Sequence, residues 1–134
     1  MTIYEFFEKD KFALQAGVKL MKAGNGYAKA CMEITPSHLN GGGVCQGGAI
    51  FTLADLAFAV ATNSHARLTF SITSNINFFK SESKGVLYAE AREVFSHNRL
   101  ANCEVNITNE SGELIASFNA TGYRKDAELP FEAL

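Results

Sequence analysis

The sequence predicts an α+β domain in which one curved antiparallel sheet wraps around a single long apolar helix. Three observations carry that expectation. Residues 49–64, AIFTLADLAFAVATNS, contain neither glycine nor proline and are apolar almost all round, as in a helix buried on every side. From residue 68 onward the chain reads as short strands separated by turn residues, the pattern of an antiparallel meander. A length of 134 residues allows one domain, 1–134, so one sheet has to cover one helix in two layers.

Taken in order, residues 2–10 are expected as a short helix. Thr2 can cap it, Glu5 stands three positions later as in a capping box, and Phe6 and Phe7 would pin it to the body. Residues 13–22 and 27–34 read as two strands around Gly24-Asn25-Gly26, a strong hairpin signal, and Pro36 ends the second strand. Residues 37–48, SHLNGGGVCQGG, form a glycine loop that leads into the long helix. Strands follow at 68–79, 85–95, 100–109 and 113–124, turned by Ser96-His97-Asn98-Arg99 and by Glu110-Ser111-Gly112. The core spans about 12–124, and the polar, acidic residues 125–134 are expected to be a loose tail.

Composition narrows the function. With 47% hydrophobic and 19% charged residues the chain can bury a core, which excludes disorder. A net charge of −2 supplies no polybasic surface for a nucleic-acid backbone. No stretch reaches the roughly 18 apolar residues of a membrane span. Cys31, Cys45 and Cys103 are odd in number and widely spaced, against both a disulfide framework and a zinc motif. Glu5, Glu8, Lys9 and Asp10 stand where a signal peptide would be apolar, so the expected setting is reducing and cytoplasmic. His38, His65 and His97 are too far apart for a local metal motif.

Asp55 is the most informative residue. Between Ile34 and Ala66 it is the only Asp, Glu, Lys or Arg, and it sits mid-helix between Leu53-Ala54 and Leu56-Ala57. A buried carboxylate without a partner is costly and its pKa moves upward. Two readings follow: an Asp bonded to nearby backbone or hydroxyl, or a general base or nucleophile in a mostly dry cleft. Upstream, Gly47 and Gly48 lie where the helix should begin. The first N–H groups of a helix have no internal partner and mark the positive end of its dipole, so a substrate oxygen can approach a glycine there. That is oxyanion-hole chemistry; a plain glycine-rich turn is the alternative. Asp55 lies eight residues after Gly47, which is roughly 12 Å along one helix. Reacting groups need to lie within about 3–3.5 Å. If both residues act on one carbonyl, they come from two subunits, as an isologous dimer with antiparallel long helices would arrange.

The run NGGGVCQGGAIFTLADLAFA (40–59) resembles the hot-dog fold acyl-CoA thioesterases, specifically the phenylacetyl-CoA thioesterase-like (PaaI-like) family. Ala61-Thr62-Asn63-Ser64, Asn75-Ile76-Asn77-Phe78 and the Ser96-His97-Asn98-Arg99 turn extend the resemblance over about residues 12–124. It implies a homo-oligomer, a dimer or a dimer of dimers, with sites at the subunit interface. Asp55 would be the catalytic carboxylate, acting as base toward water or as nucleophile. Gly47 would polarise the thioester carbonyl with its N–H, and Asn40 would help hold the attacking water or the carboxylate. The family's histidine before Gly-Gly is Gln46 here, which can donate a hydrogen bond but cannot carry a proton. Gly48, hydroxyls at Ser71 and Thr73, and Arg99 among the scattered cations complete the expected substrate contacts. The implied activity is hydrolysis of a small or aryl acyl-CoA to free acid and coenzyme A, without cofactor or metal. A non-catalytic acyl-CoA binding module on the same fold is the alternative. A hydratase or dehydratase would want a histidine paired with the carboxylate, and Gln46 argues against it.

Overall fold

Thr2 starts the first helix. Its hydroxyl accepts the Glu5 N–H at 3.1 Å and its own N–H donates to the Glu5 carboxylate at 2.9 Å, completing the capping box. In the computed structural model, which describes residues 1–134, this opens α1 (Ile3–Phe7). The helix stops short of residue 10 because a second begins at once. Asp10 accepts the Ala13 N–H at 3.1 Å and caps α2 (Lys11–Gln15). The strand expected from residue 13 therefore starts later: Gly17, at φ +86°, turns the chain, and β1 runs Val18–Gly24. β2 (Tyr27–Glu33) pairs back with Gly24 opposite Tyr27, leaving Asn25-Gly26 as the turn.

A single 3-10 turn (Pro36–His38) and the glycine loop lead to α3 (Gly47–Asn63), which begins two residues before the expected start at 49. β3 (Arg67–Phe78), β4 (Val86–Ser96), β5 (Leu100–Thr108) and β6 (Leu114–Glu128) follow. All six strands form one antiparallel sheet in the order β1-β2-β4-β5-β6-β3; β4, β5 and β6 form a meander, but β3, expected to lead it, lies instead at the far edge beside β6. α3 carries the chain from β2 to the far edge, where β3 pairs with β6; the chain then returns to lay β4 beside β2.

β6 passes the expected end at residue 124, so the tail differs from the loose segment expected from 125. Beyond β6, the Leu129 N–H donates to the Ala66 carbonyl (2.8 Å) and the Leu134 N–H to that of Ser64 (2.9 Å). Both carbonyls lie just past the open C-terminal end of α3, where no intrahelical donor remains. Phe131 also meets Phe6, with ring centroids 5.6 Å apart.

The core lies between α3 and the concave face of the sheet. Ala28, Ala30 and Met32 of β2, Leu87, Ala89 and Ala91 of β4, and Cys103, Val105 and Ile107 of β5 are fully buried. The alanines are short where α3 crosses the middle of the sheet, which lets the helix close onto it. Leu53, Ala54, Ala57, Val60 and Ala61 are the helix residues sealed against it. The helix is not covered all round, however. Gly48, Thr52, Asp55 and Ala59 recur at spacings of four, three and four, and this one stripe stays partly open to solvent.

Candidate active site

Asp55 projects from that open stripe into a cleft of about 350 Å³. Phe6 and Phe7 of α1, Lys9 and Asp10 at the α1–α2 junction, and Thr69, Phe70 and Ser71 of β3 form its other walls, with Phe58 in its floor. Asn63, at the end of α3, fixes β3 in place there. Its amide nitrogen donates to the carbonyls of Ala59 (2.7 Å) and Thr69 (3.1 Å), and its oxygen accepts the Thr69 N–H (2.8 Å). The Asp55 carboxylate has no such support. Burial pushes its pKa above the usual carboxylate value, and the negative charge of Asp10 pushes it further. A half-buried carboxylate with raised basicity and no hydrogen bond is equipped to take a proton.

Asp10 is a cleft residue that no sequence motif marks. Its signal is its place as a cap before Lys11–Gln15, whereas the sequence alone puts it at the end of the 2–10 helix with a strand expected from residue 13. Asp10→Asn keeps an acceptor for the Ala13 N–H while removing the like charge facing Asp55. We expect the acid limb of the pH–rate profile to move to lower pH, because Asp55 then ionises more readily. Lys9, in the same cleft, stays in place as the internal control on charge. An unmoved limb in a folded variant would remove Asp10 from the electrostatics of the site.

At the other end of α3, Gly47 and Gly48 carry the free N–H groups of the helix. The Gln46 carbonyl accepts from Ala49 (3.0 Å) and Ile50 (3.3 Å), so the first N–H groups bound within the turn belong to residues 49 and 50. A Cβ added to Gly47 would stand 3.0 Å from the ring of Phe78. Gln46 is the N-cap residue, and its side-chain oxygen lies over Gly48, 2.5 Å from where a Cβ would be. Gln46 and Gly48 face a separate depression, shared with Thr52 and His38. The Asp55 cleft does not reach Gly47, in keeping with the helical rise between them.

The remaining expected residues divide by geometry. Ser71 lies opposite Gly122, whose α-carbon faces the Phe58 ring, and so shares the inner face and the Asp55 cleft. Thr73 does not. Ile72 is an unpaired residue at a bulge, after which Thr73 pairs with Thr121. Thr121 and Asn119 accept hydrogen bonds from Asn102 on the convex side of the sheet, at 2.9 Å each. Thr73 is therefore turned away from α3 and does not share the face of Ser71. Asn40 uses its side-chain oxygen to stitch the glycine loop, accepting from Gly42 (2.9 Å) and Val44 (3.3 Å). Arg99 sits outside the cleft, its guanidinium forked onto Asp126 by two bonds of 2.9 Å. Cys45 is buried, and burial raises its thiol pKa, so it remains protonated and a poor nucleophile.

Residues 42–116, more than half of the chain and the span from the glycine loop into β6, match the thioesterase superfamily. The chain belongs to that superfamily. A putative esterase of Archaeoglobus fulgidus is 38% identical over 92% of this chain and 81% of its own. The acyl-coenzyme A thioesterase PaaI of Escherichia coli is 28% identical over 97% of this chain and 94% of its own. The solved structure of E. coli PaaI superposes with a TM-score of 0.90, covering 93% of this chain and 91% of that one. The six-stranded sheet around α3 is thus the hot-dog fold, and this thioesterase is of the PaaI-like kind. No helix in it is long and apolar enough to cross a membrane.

Proposed function

We propose that this thioesterase hydrolyses a small or aryl acyl-CoA, with Asp55 of one subunit and the Gly47 amide of a second copy acting on the same carbonyl. The observation that carries the reading is the placement of Asp55. It is the sole charge on the one open stripe of α3, with raised basicity, above a cleft walled by Phe6, Phe7, Phe58 and Phe70. Four phenyl rings around about 350 Å³ favour a compact aromatic acyl group over a long chain. Similarity to an acyl-coenzyme A thioesterase supports coenzyme A as the leaving thiol.

In the water route, Asp55 takes a proton from water as its oxygen bonds to the thioester carbon. The carbonyl electrons move to oxygen, and the Gly47 and Gly48 N–H groups stabilise that charge. The intermediate collapses by breaking the carbon–sulfur bond, and the proton on Asp55 passes to the departing thiolate, giving free acid and thiol. In the covalent route, the Asp55 carboxylate attacks the thioester carbon, and the carbon–sulfur bond breaks to release the thiolate. Water then hydrolyses the resulting mixed anhydride to the free acid and the Asp55 carboxylate, its remaining proton passing to the thiolate. Label found in Asp55 after a single turnover in ¹⁸O-water establishes the covalent route with water attacking the Asp55 carboxyl carbon, and trapping of the anhydride with hydroxylamine detects that route when water attacks the acyl carbon.

Two features support a second copy as the source of Gly47. β3 is an edge strand of 12 residues with one side of its backbone unpaired, and it exposes Phe70, Ile72 and Phe78. Such an edge pairs readily with another strand. The open stripe of α3 lies on the same side of the molecule as the Asp55 cleft, of which β3 is a wall. Pairing β3 with its own copy would bring two such stripes together about a twofold axis, with the N-terminus of one helix near the middle of the other. Pairing of those dimers remains a further part of the proposal.

Thiol release measured on acetyl-, hexanoyl-, benzoyl- and phenylacetyl-CoA tests the function, with the aryl substrates expected to turn over fastest. Tight binding without release of any thiol would favour the non-catalytic binding module instead. Gln46→His is expected to keep or raise kcat, because the imidazole restores a donor at the helix cap beside Gly48. A large loss of kcat in a folded Gln46→His variant would show that the glutamine amide is tuned to its own ligand.

A further inference from the structure

We propose that His38 is a positioning residue for the Gly47 amide, acting as a neutral clamp of defined tautomer. The inference rests on the reading of Gly47 as the group that binds the carbonyl. His38 is 8% exposed and closes the short turn Pro36–His38. Its Nδ1 receives the Thr35 backbone N–H at 2.9 Å, with the Thr35 hydroxyl also near at 3.2 Å. A backbone N–H can only donate, so Nδ1 is the unprotonated nitrogen. Nε2 then carries the proton and donates it to the Ala16 carbonyl, 2.6 Å away at the end of α2. Both ring nitrogens are thereby committed, and the ring joins the turn to the N-terminal segment.

What the clamp holds is the carbonyl of His38 itself, which accepts the Gln46 N–H at 2.8 Å. The carbonyl of Gln46 is fixed in turn by Ala49 and Ile50, at 3.0 and 3.3 Å. Gln46 is therefore anchored on both sides, by His38 before the helix and by the first turn after it. A trans peptide sets the N–H opposite to its C=O. With the Gln46 carbonyl directed into the helix, the Gly47 N–H points out of its N-terminus. Releasing His38 frees one of the two anchors, and the Gly47 N–H loses its fixed direction. Misplacement of a donor by about 1 Å is enough to cost on the order of 100-fold in rate. The loss falls on kcat with little change in KM, since the donor acts where charge develops in the transition state.

The test uses the full chain. In wild type labelled with ¹⁵N-histidine, His38 should show an unprotonated Nδ1 and a protonated Nε2 at neutral pH; the opposite tautomer, or a doubly protonated ring, overturns the clamp. His38→Ala should shift the Gly47 amide resonance and lower kcat by about 10- to 100-fold with KM within about twofold. His38→Asn, whose side-chain oxygen can still receive the Thr35 N–H, should recover part of that loss. It also serves as the test variant where His38→Ala does not fold. An unmoved Gly47 resonance in folded His38→Ala overturns the proposal, as does, where only His38→Asn folds, an unmoved resonance in that variant, which has lost the imidazole bond to the Ala16 carbonyl. A shifted resonance with unchanged kcat supports the clamp and instead overturns the role of Gly47 in catalysis.

Discussion

Asp55→Asn should fold and assemble as the wild type does and lose about 10²–10⁴-fold of kcat, the usual worth of a positioned general base. The amide is nearly the same shape as the carboxylate but cannot accept a proton from water. Stability moves the other way. The folded-state pKa of Asp55 lies above its ordinary value of 3.8, so folding favours the protonated form. The stability linked to that group is fully present below the ordinary value and is lost as pH rises through the raised one. At neutral pH the wild type therefore carries a disfavoured charge that the amide lacks. The variant should be as stable as wild type or more so at pH 7, with the difference shrinking toward pH 4. Urea midpoints at the two pH values measure this, and thiol release measures kcat. A folded variant with near-wild-type turnover would make Asp55 a structural residue.

The second large effect is recovery of activity from two dead proteins. Gly47→Val places a branched side chain where even a Cβ would stand 3.0 Å from the Phe78 ring, and it blocks approach to the free N–H. Phe78 is half exposed and its ring can swing aside, so the fold is expected to survive. Asp55→Asn and Gly47→Val should each be inactive alone. Mixed under conditions of subunit exchange, they form heterodimers in which one site carries both defects and the other carries neither. Each heterodimer should regain up to about half of the wild-type activity. Heterodimers isolated with two different tags that stay inactive, while both parents are folded, would refute a site shared between subunits.

The parts legible in the sequence are those set by local pattern. The capping box at Thr2 and Glu5, the Asn25-Gly26 turn and the β4-β5-β6 meander each depend on residues a few positions apart. Asp55 stood out because no other Asp, Glu, Lys or Arg lies between Ile34 and Ala66. α2 was hidden because five residues give too little periodicity to separate a helix from a strand, and only the Asp10 cap marks it. The placement of β3 beside β6 was hidden because pairing between strands distant in sequence leaves no local trace. Asp10 meets Asp55 only through tertiary packing of the N-terminal helices. Ser71 and Thr73, named together by resemblance, lie on opposite faces because the backbone inserts one unpaired residue between them, which the residue types do not reveal.

That unpaired residue, Ile72, governs how the strand can change over time. Before it, Ser71 faces α3; after it, Ile76 and Phe78 face inward while Asn75 and Asn77 pair with Asn119 and Ser117 on the outside. Loss of this single codon would remove the bulge and leave every facing as it is, with Ser71 followed directly by Thr73 outside and Ser74 inside, opposite Thr121 and Ala120 as now. A one-residue insertion or deletion away from the bulge would instead exchange the two sides of whatever follows it. Substitutions along β3 change one surface at a time and can be sampled freely, whereas a change of length rewrites the strand unless it falls at Ile72. The descent of this edge should therefore be a history of replacements, with length changes confined to the bulge and to the loops on either side.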